Sequence, residues 1–378
     1  MTDGDTVSET DSASDPDGGV DAGAEDAGEG ASKSIYGYYM GYQSWSYPGD
    51  AVDFDSLTHL IVGRLEPRAD GTLSSDFDMG DVAGPAMAQD MVDRTHAAGR
   101  IAILLIDIQD EAVWLEAASE ANRPTLVTSI AAAVQTYGFD GIDLSWAPSG
   151  DDEYLLLVSV AQELRSAIPG VSLSFAMGWV GATQTVPSYI VSSAAYFDQL
   201  FVATFGMGNS WSGWQSWHNS PLYGDTPTTP SSVESTVLKL VDAGIPAEKI
   251  HISLPFFGSC WEGVTDPLQD GGTYLLGDNA MSYVNIMTDY YPVADRYTWD
   301  DIARVPYLSF EPDPGPQGCT FVSYDNPQSI REKGAFIRAA NLGGAFIWTL
   351  AEGYLPDNPV GERNPLLDAA AESLLSVP

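Results

Sequence analysis

Tyr137-Gly138-Phe139-Asp140-Gly141-Ile142-Asp143-Leu144-Ser145-Trp146-Ala147-Pro148 is the run on which the reading of this chain turns. Gly141–Ser145 is short and mostly apolar, and a glycine precedes it after a longer helical stretch. A parallel strand covered on both faces has this character. Side chains alternate along a strand, so Asp143, Ser145 and Ala147 share one face. Trp146 points the other way, which makes it a packing residue.

Seven further runs of the same kind lie on either side: Tyr36–Met40, His59–Gly63, Ile101–Ile106, Val171–Ala176, Leu200–Thr204, Ile250–Leu254 and Ala345–Thr349. Amphipathic stretches separate them: Ala86–Ala98, Leu126–Tyr137, Glu153–Ile168, Ser232–Ala243 and Gln328–Ala340, with Pro365–Leu375 closing the set. The links after the first and fifth runs are less clearly helical. Strand and helix alternating eight times predict an α/β fold, a (β/α)8 TIM barrel, for which about 250 residues plus insertions suffice. A doubly wound open sheet is the rival, and no Gly-x-Gly-x-x-Gly loop follows the first strand to support it.

About 90 residues separate Leu254 from Ala345. Residues 262–320 are rich in Tyr, Trp, Asp and Gly, and read as a small α+β insertion between strand 7 and its helix. Cys260 and Cys319 flank it. We favour a disulfide at its base over two buried thiols. The cysteines lack Cys-x-x-Cys spacing, and the four histidines (His59, His96, His218, His251) have no ligand spacing, so we expect no metal and no cofactor.

Residues 1–33 are Asp, Gly, Ala, Ser and Glu with scarcely an apolar side chain, an acidic tail or linker too polar to order itself. Residues 34–378 form the barrel unit. Net charge is −38, and the first 32 residues hold ten acids and no base. Such a field repels nucleic acid and anionic membranes, and suits a neutral ligand or a salt-rich habitat. No apolar run reaches the roughly 20 residues of a membrane span. No signal peptide is visible. The linker-like start nevertheless suggests a secreted or cell-surface protein of bacterial-type export.

The Asp140-Gly141-x-Asp143-x-Ser145-x-Ala147 run resembles the fourth-strand signature of glycoside hydrolase family 18, Asp-Gly-x-Asp-x-Asp-x-Glu. Leu57-Thr58-His59-Leu60, Gly244–Ile250, Leu254-Pro255-Phe256-Phe257-Gly258, Val322–Pro327 and Gly343–Trp348 resemble other segments of that family in the same order. The resemblance runs from about residue 35 to 375. It implies a chitinase-like barrel in which the glutamate protonates the leaving oxygen. The preceding aspartate orients the substrate's N-acetyl group for attack, a route outside the two-carboxylate scheme. Ala147 stands at the glutamate position and Ser145 at the orienting aspartate. A missing positioned acid costs about 10²–10⁴-fold. Ala203-Thr204-Phe205-Gly206 aligns with Met-x-Tyr-Asp, and Leu105-Ile106-Asp107-Ile108 with Ser-x-Gly-Gly. Several catalytic positions have therefore drifted together.

The resemblance puts Trp348 at a sugar-stacking position, or else in the core. Trp179, Trp211, Trp214, Trp217, Phe205 and Tyr39 follow or end strands on the face where barrels do their work. The 211–217 group also reads as a cluster packing its own loop. Asp107, expected beside Asp143, is the candidate for a relocated acid. Glu352, just past the eighth strand, is a second candidate, with an ordinary surface-loop acid as its plainer reading. Three functions stay open: carbohydrate binding without hydrolysis, which we favour, an active glycosidase with relocated carboxylates, and a protein-interaction scaffold. The oligomeric state is not legible.

Overall fold

The computed structural model describes residues 33–146, 148, 150–293 and 296–376. Seven strands come first: β1 (Ser34–Met40), β2 (His59–Leu65), β3 (Ile101–Asp107), β4 (Gly141–Ser145), β5 (Ser172–Gly178), β6 (Gln199–Ala203) and β7 (Ile250–Pro255). An antiparallel unit follows, with β8 (Phe257–Glu262), β9 (Thr273–Ser282), β10 (Arg296–Asp300), β11 (Val305–Ser309) and β12 (Phe321–Ser323). β13 (Gly344–Trp348) then completes the set. The strands β1–β7 and β13 close a parallel barrel. The fold is thus the (β/α)8 barrel expected from the eight apolar runs.

Each strand feeds the barrel interior with alternate residues. Tyr36, Tyr38 and Met40 of β1 meet Ile61, Ile103, Leu105, Phe201 and Phe346 inside, while the intervening positions pack against the outer helices. A near-continuous apolar strand is the sequence signature of this two-sided burial. The helices form where expected, within a few residues: Ala83–Ala97, Arg123–Tyr137, Asp151–Ala167, Val233–Asp242, Pro327–Ala339 and Pro365–Leu374. The link after β1 forms three short turns instead of a helix, and the link after β5 holds only Ser188–Ala194. An additional helix, Glu111–Ala117, precedes Arg123–Tyr137.

The insertion is mostly sheet. Its strand order is β10-β11-β12-β8-β9, and it starts at Phe257 and returns at Ser323. Cys260 on β8 and Cys319 just before β12 form a disulfide across its base. Val322 pairs directly with Cys260, so the crosslink ties two adjacent strands. The acidic segment 1–32 lies outside the described residues.

Candidate functional site at the barrel mouth

Asp143 sits inside the barrel and is fully buried. Register explains its partners. β4 runs beside β5 with Asp143 level with Ser174, and the Ser174 hydroxyl donates to Asp143 Oδ1 at 2.6 Å. The Tyr38 hydroxyl donates to the other oxygen at 2.5 Å from across the interior. Burial pushes the Asp143 carboxyl up to about 6, and the charge of Asp107 adds to this. The bonds from Ser174 and Tyr38 pull the other way.

Beyond Asp143, β4 ends at half-buried Ser145, which is level with Asp107 at the end of β3. Asp107 accepts from the Arg64 guanidinium at 2.8 Å. Arg64 also pairs with Glu66 at 2.9 Å and approaches Asp78 at 3.3 Å. The expected carboxylate neighbours thus differ in environment: Asp143 is bonded to hydroxyls in the interior, Asp107 to a cation at the rim. Ala147 lies outside the described residues. Asp140 stands before the first residue of β4, at the opposite end of the barrel. It accepts there from the Ala102 amide at 2.8 Å and contacts His96 Nε2 at 2.9 Å. It joins β3 to β4 and takes no part in the mouth.

Trp348 ends β13 half-buried, its ring centroid 5.1 Å from that of Tyr38. Its indole N–H donates to Asp278 Oδ1 at 3.0 Å, so the insertion strand β9 holds the ring in place. The expectation for Tyr39 needs correction. Tyr39 faces the outer helices and donates to the Tyr47 carbonyl at 3.0 Å, because β1 turns Tyr38 inward instead. Phe205 follows β6 half-buried and packs edge-on against Phe257 at 5.2 Å. Trp179 and Trp211 pair with centroids 5.8 Å apart, and Trp211 is 40% exposed. The 211–217 group therefore divides. Trp217 is buried and bonded to the Ser231 carbonyl, Trp214 is half-buried, and Trp211 faces solvent. Trp146 stacks on Trp114 at 5.0 Å, in packing as its parity required.

Glu352 also needs correction. It is 3% exposed in the turn after β13, and neither carboxylate oxygen has a side-chain hydrogen-bond partner among the described residues. Burial, then the charge of Asp278, raises its carboxyl well above the ordinary range. No helix among the described residues is long and apolar enough to cross a membrane.

A closed parallel barrel with an antiparallel insertion after its seventh strand, and a tryptophan ending its eighth, defines a chitinase-like architecture. The family profile "Glycosyl hydrolases family 18" matches residues 34–353, and the chain belongs to that family. Chitinase A1 of Niallia circulans is 27% identical over 303 residues, covering 68% of this chain and 42% of that protein. The chain therefore spans less than half the length of that relative. Among solved structures, the Group IV chitinase of Ostrinia furnacalis superposes with TM-score 0.75 at 21% identity, covering 91% of this chain and all of that one. The chitinase-like agglutinin of Robinia pseudoacacia superposes with TM-score 0.71 at 20% identity, covering 90% and 99%.

Proposed function

We propose that this protein binds chitin-type glycans containing N-acetylglucosamine without cleaving them, and that it works outside the cell. One observation carries the reading. The run that should present the proton donor reads Asp143, Ser145, Ala147 at alternate positions, and Asp107, level with Ser145 at the mouth, is already engaged by Arg64. A methyl group and a hydroxyl supply neither a general acid nor an orienting carboxylate. Asp143 is enclosed by Tyr38 and Ser174, which leaves it no open face toward a ligand. The aromatic platform persists. Trp348 is anchored by Asp278, with Phe205, Trp179 and Trp211 along the same face, and flat rings of this kind stack on the apolar faces of sugars. A family fold that carries the name agglutinin in another organism is consistent with binding as an end in itself. The disulfide Cys260–Cys319 suits an oxidising, extracellular compartment.

Titration with the N-acetylglucosamine tetramer tests this. We expect quenching of tryptophan fluorescence, at least tenfold weaker binding in Trp348→Ala, and no new reducing ends. Absence of binding at millimolar ligand would sink the proposal. Turnover of an aryl glycoside that disappears in Asp107→Asn would show a relocated-acid glycosidase instead. The double change Ser145→Asp with Ala147→Glu should restore little hydrolysis, because Phe205 and Gly206 still occupy the positions just after β6 that would steady the acetamido group.

A further inference from the structure

An opening lies between the turns after β1, the end of β9 and the turn that follows Trp348. It is a cleft of about 420 Å³ lined in part by Tyr42, Gln43, Trp45, Asn279, Glu352 and Tyr354. Its polar groups are mostly spoken for. Gln43 Nε2 donates to Asn279 Oδ1 at 2.7 Å, and Gln43 Oε1 accepts from the Thr349 hydroxyl at 2.7 Å. Asn279 Nδ2 donates to Asp278 Oδ2 at 2.8 Å. Glu352 is the exception, a buried carboxyl with no cation and no side-chain donor beside it among the described residues, its charged form favoured only by the Thr349 backbone. No Lys, Arg or His is among the residues lining the cleft. A buried carboxylate is normally paired with a cation and hydrogen-bonded, and without such a partner it takes up a proton.

We propose that this cleft receives the ammonium group of an amino sugar whose amine is not acetylated, with Glu352 as its ionic partner. The inference rests on the glycan-binding reading above and narrows it to de-N-acetylated units beside the Trp348 platform. An ammonium supplies three donors to a carboxyl that has no side-chain donor, and it gains from the Asp278 charge on β9. Tyr42 and Tyr354 line the cleft, and Trp45 stands at its edge 86% exposed. Their ring faces attract a cation. A neutral acetamido group would leave Glu352 without an ionic partner. The groups facing Glu352 that titrate or carry charge are Asp278 on β9, Tyr42 after β1 and Tyr354 after β13. Arg64 at the end of β2 acts on Tyr42. Burial raises both the Glu352 carboxyl and the Tyr42 phenol. Glu352 therefore enters the complex by releasing its proton.

Calorimetric titration of the whole chain at pH 6 and about 0.15 M salt, close to a Debye length of 8 Å, compares the glucosamine tetramer with the N-acetylglucosamine tetramer. We expect the glucosamine tetramer to bind at least tenfold tighter. In Glu352→Gln that ratio should fall to about one. Asp278→Asn, which keeps an acceptor for Trp348, should reduce the ratio partway. Both variants should stay folded with a single cooperative thermal transition above the titration temperature. If Glu352→Gln retains the full ratio, the preference comes from the general acidic field and the proposal is overturned. Equal or tighter binding of the acetylated tetramer by the unaltered protein also overturns it, while leaving glycan binding intact. Binding of neither sugar overturns both.

Discussion

At the scale of single residues, Asp143 shows how a motif position survives as a structural element. Its carboxyl is raised to about 6 in the folded protein, chiefly by burial, against about 3.9 in an unfolded chain. The folded state therefore holds the proton more tightly. Its contribution to stability is fully present below about pH 4 and is lost as pH rises through about 6. Glu352 acts in the same direction. His59 and His251, lowered to about 4 by burial, act in the opposite one and lose stability as pH falls from about 6.5. Asp143→Asn should remove up to about 2–3 kcal/mol of the pH-dependent change between pH 4 and 6.5, at about 1.4 kcal/mol per unit. Urea denaturation at half-unit pH steps measures it, and an unaltered profile would contradict the assignment.

The elements are joined by a few buried polar links. Lys333, on the helix Pro327–Ala339, is fully buried and donates to both oxygens of Asp325 at 2.8 and 2.7 Å, and to Ser220 at 2.8 Å. It thereby fastens the return from the insertion to the loop after β6. Removing one member of a buried pair leaves the other charge uncompensated, at a cost of about 3–5 kcal/mol. Lys333→Ala should lose that much in equilibrium unfolding. A loss under about 1 kcal/mol would mean that Asp325 relaxes toward water or takes up a proton. The disulfide does parallel work at the base of the insertion, where Cys260 lies opposite Val322. It closes a separation of 59 residues and so limits the unfolded chain.

Across the whole molecule, a formal charge of −38 with only 15 basic residues makes self-repulsion a standing term. Salt shortens the Debye length to about 3 Å at 1 M. The thermal midpoint should therefore rise by a few degrees, roughly, between 0.05 and 1 M sodium chloride. At about 1.4 °C per kcal/mol for a folded unit of this size, that corresponds to roughly two kcal/mol of screened repulsion. Differential scanning calorimetry provides the reading, and a flat or falling midpoint would show that the acidic surface does not oppose folding. The same field argues against anionic partners and favours the cationic ligand assigned to the Glu352 cleft.

The barrel was legible from eight short apolar runs alternating with amphipathic helices, because a strand buried on both faces must be apolar along its length. The sequence also located the insertion and its crosslink, since two cysteines flank the one overlong interval. Asp140 could have been placed correctly from its position before β4 began. Other features were decided only by tertiary structure. Whether Tyr38 or Tyr39 faces inward depends on barrel closure, and in a strand buried on both sides no polar alternation marks the parity. The fates of Trp211 and Trp217 diverge because each meets a different distant loop. Glu352 is buried by contacts with chain segments far from it in sequence, the turns after β1 and the insertion. A turn acid that looks solvated in the sequence becomes, once those segments fold over it, a buried carboxyl with no cation beside it among the described residues.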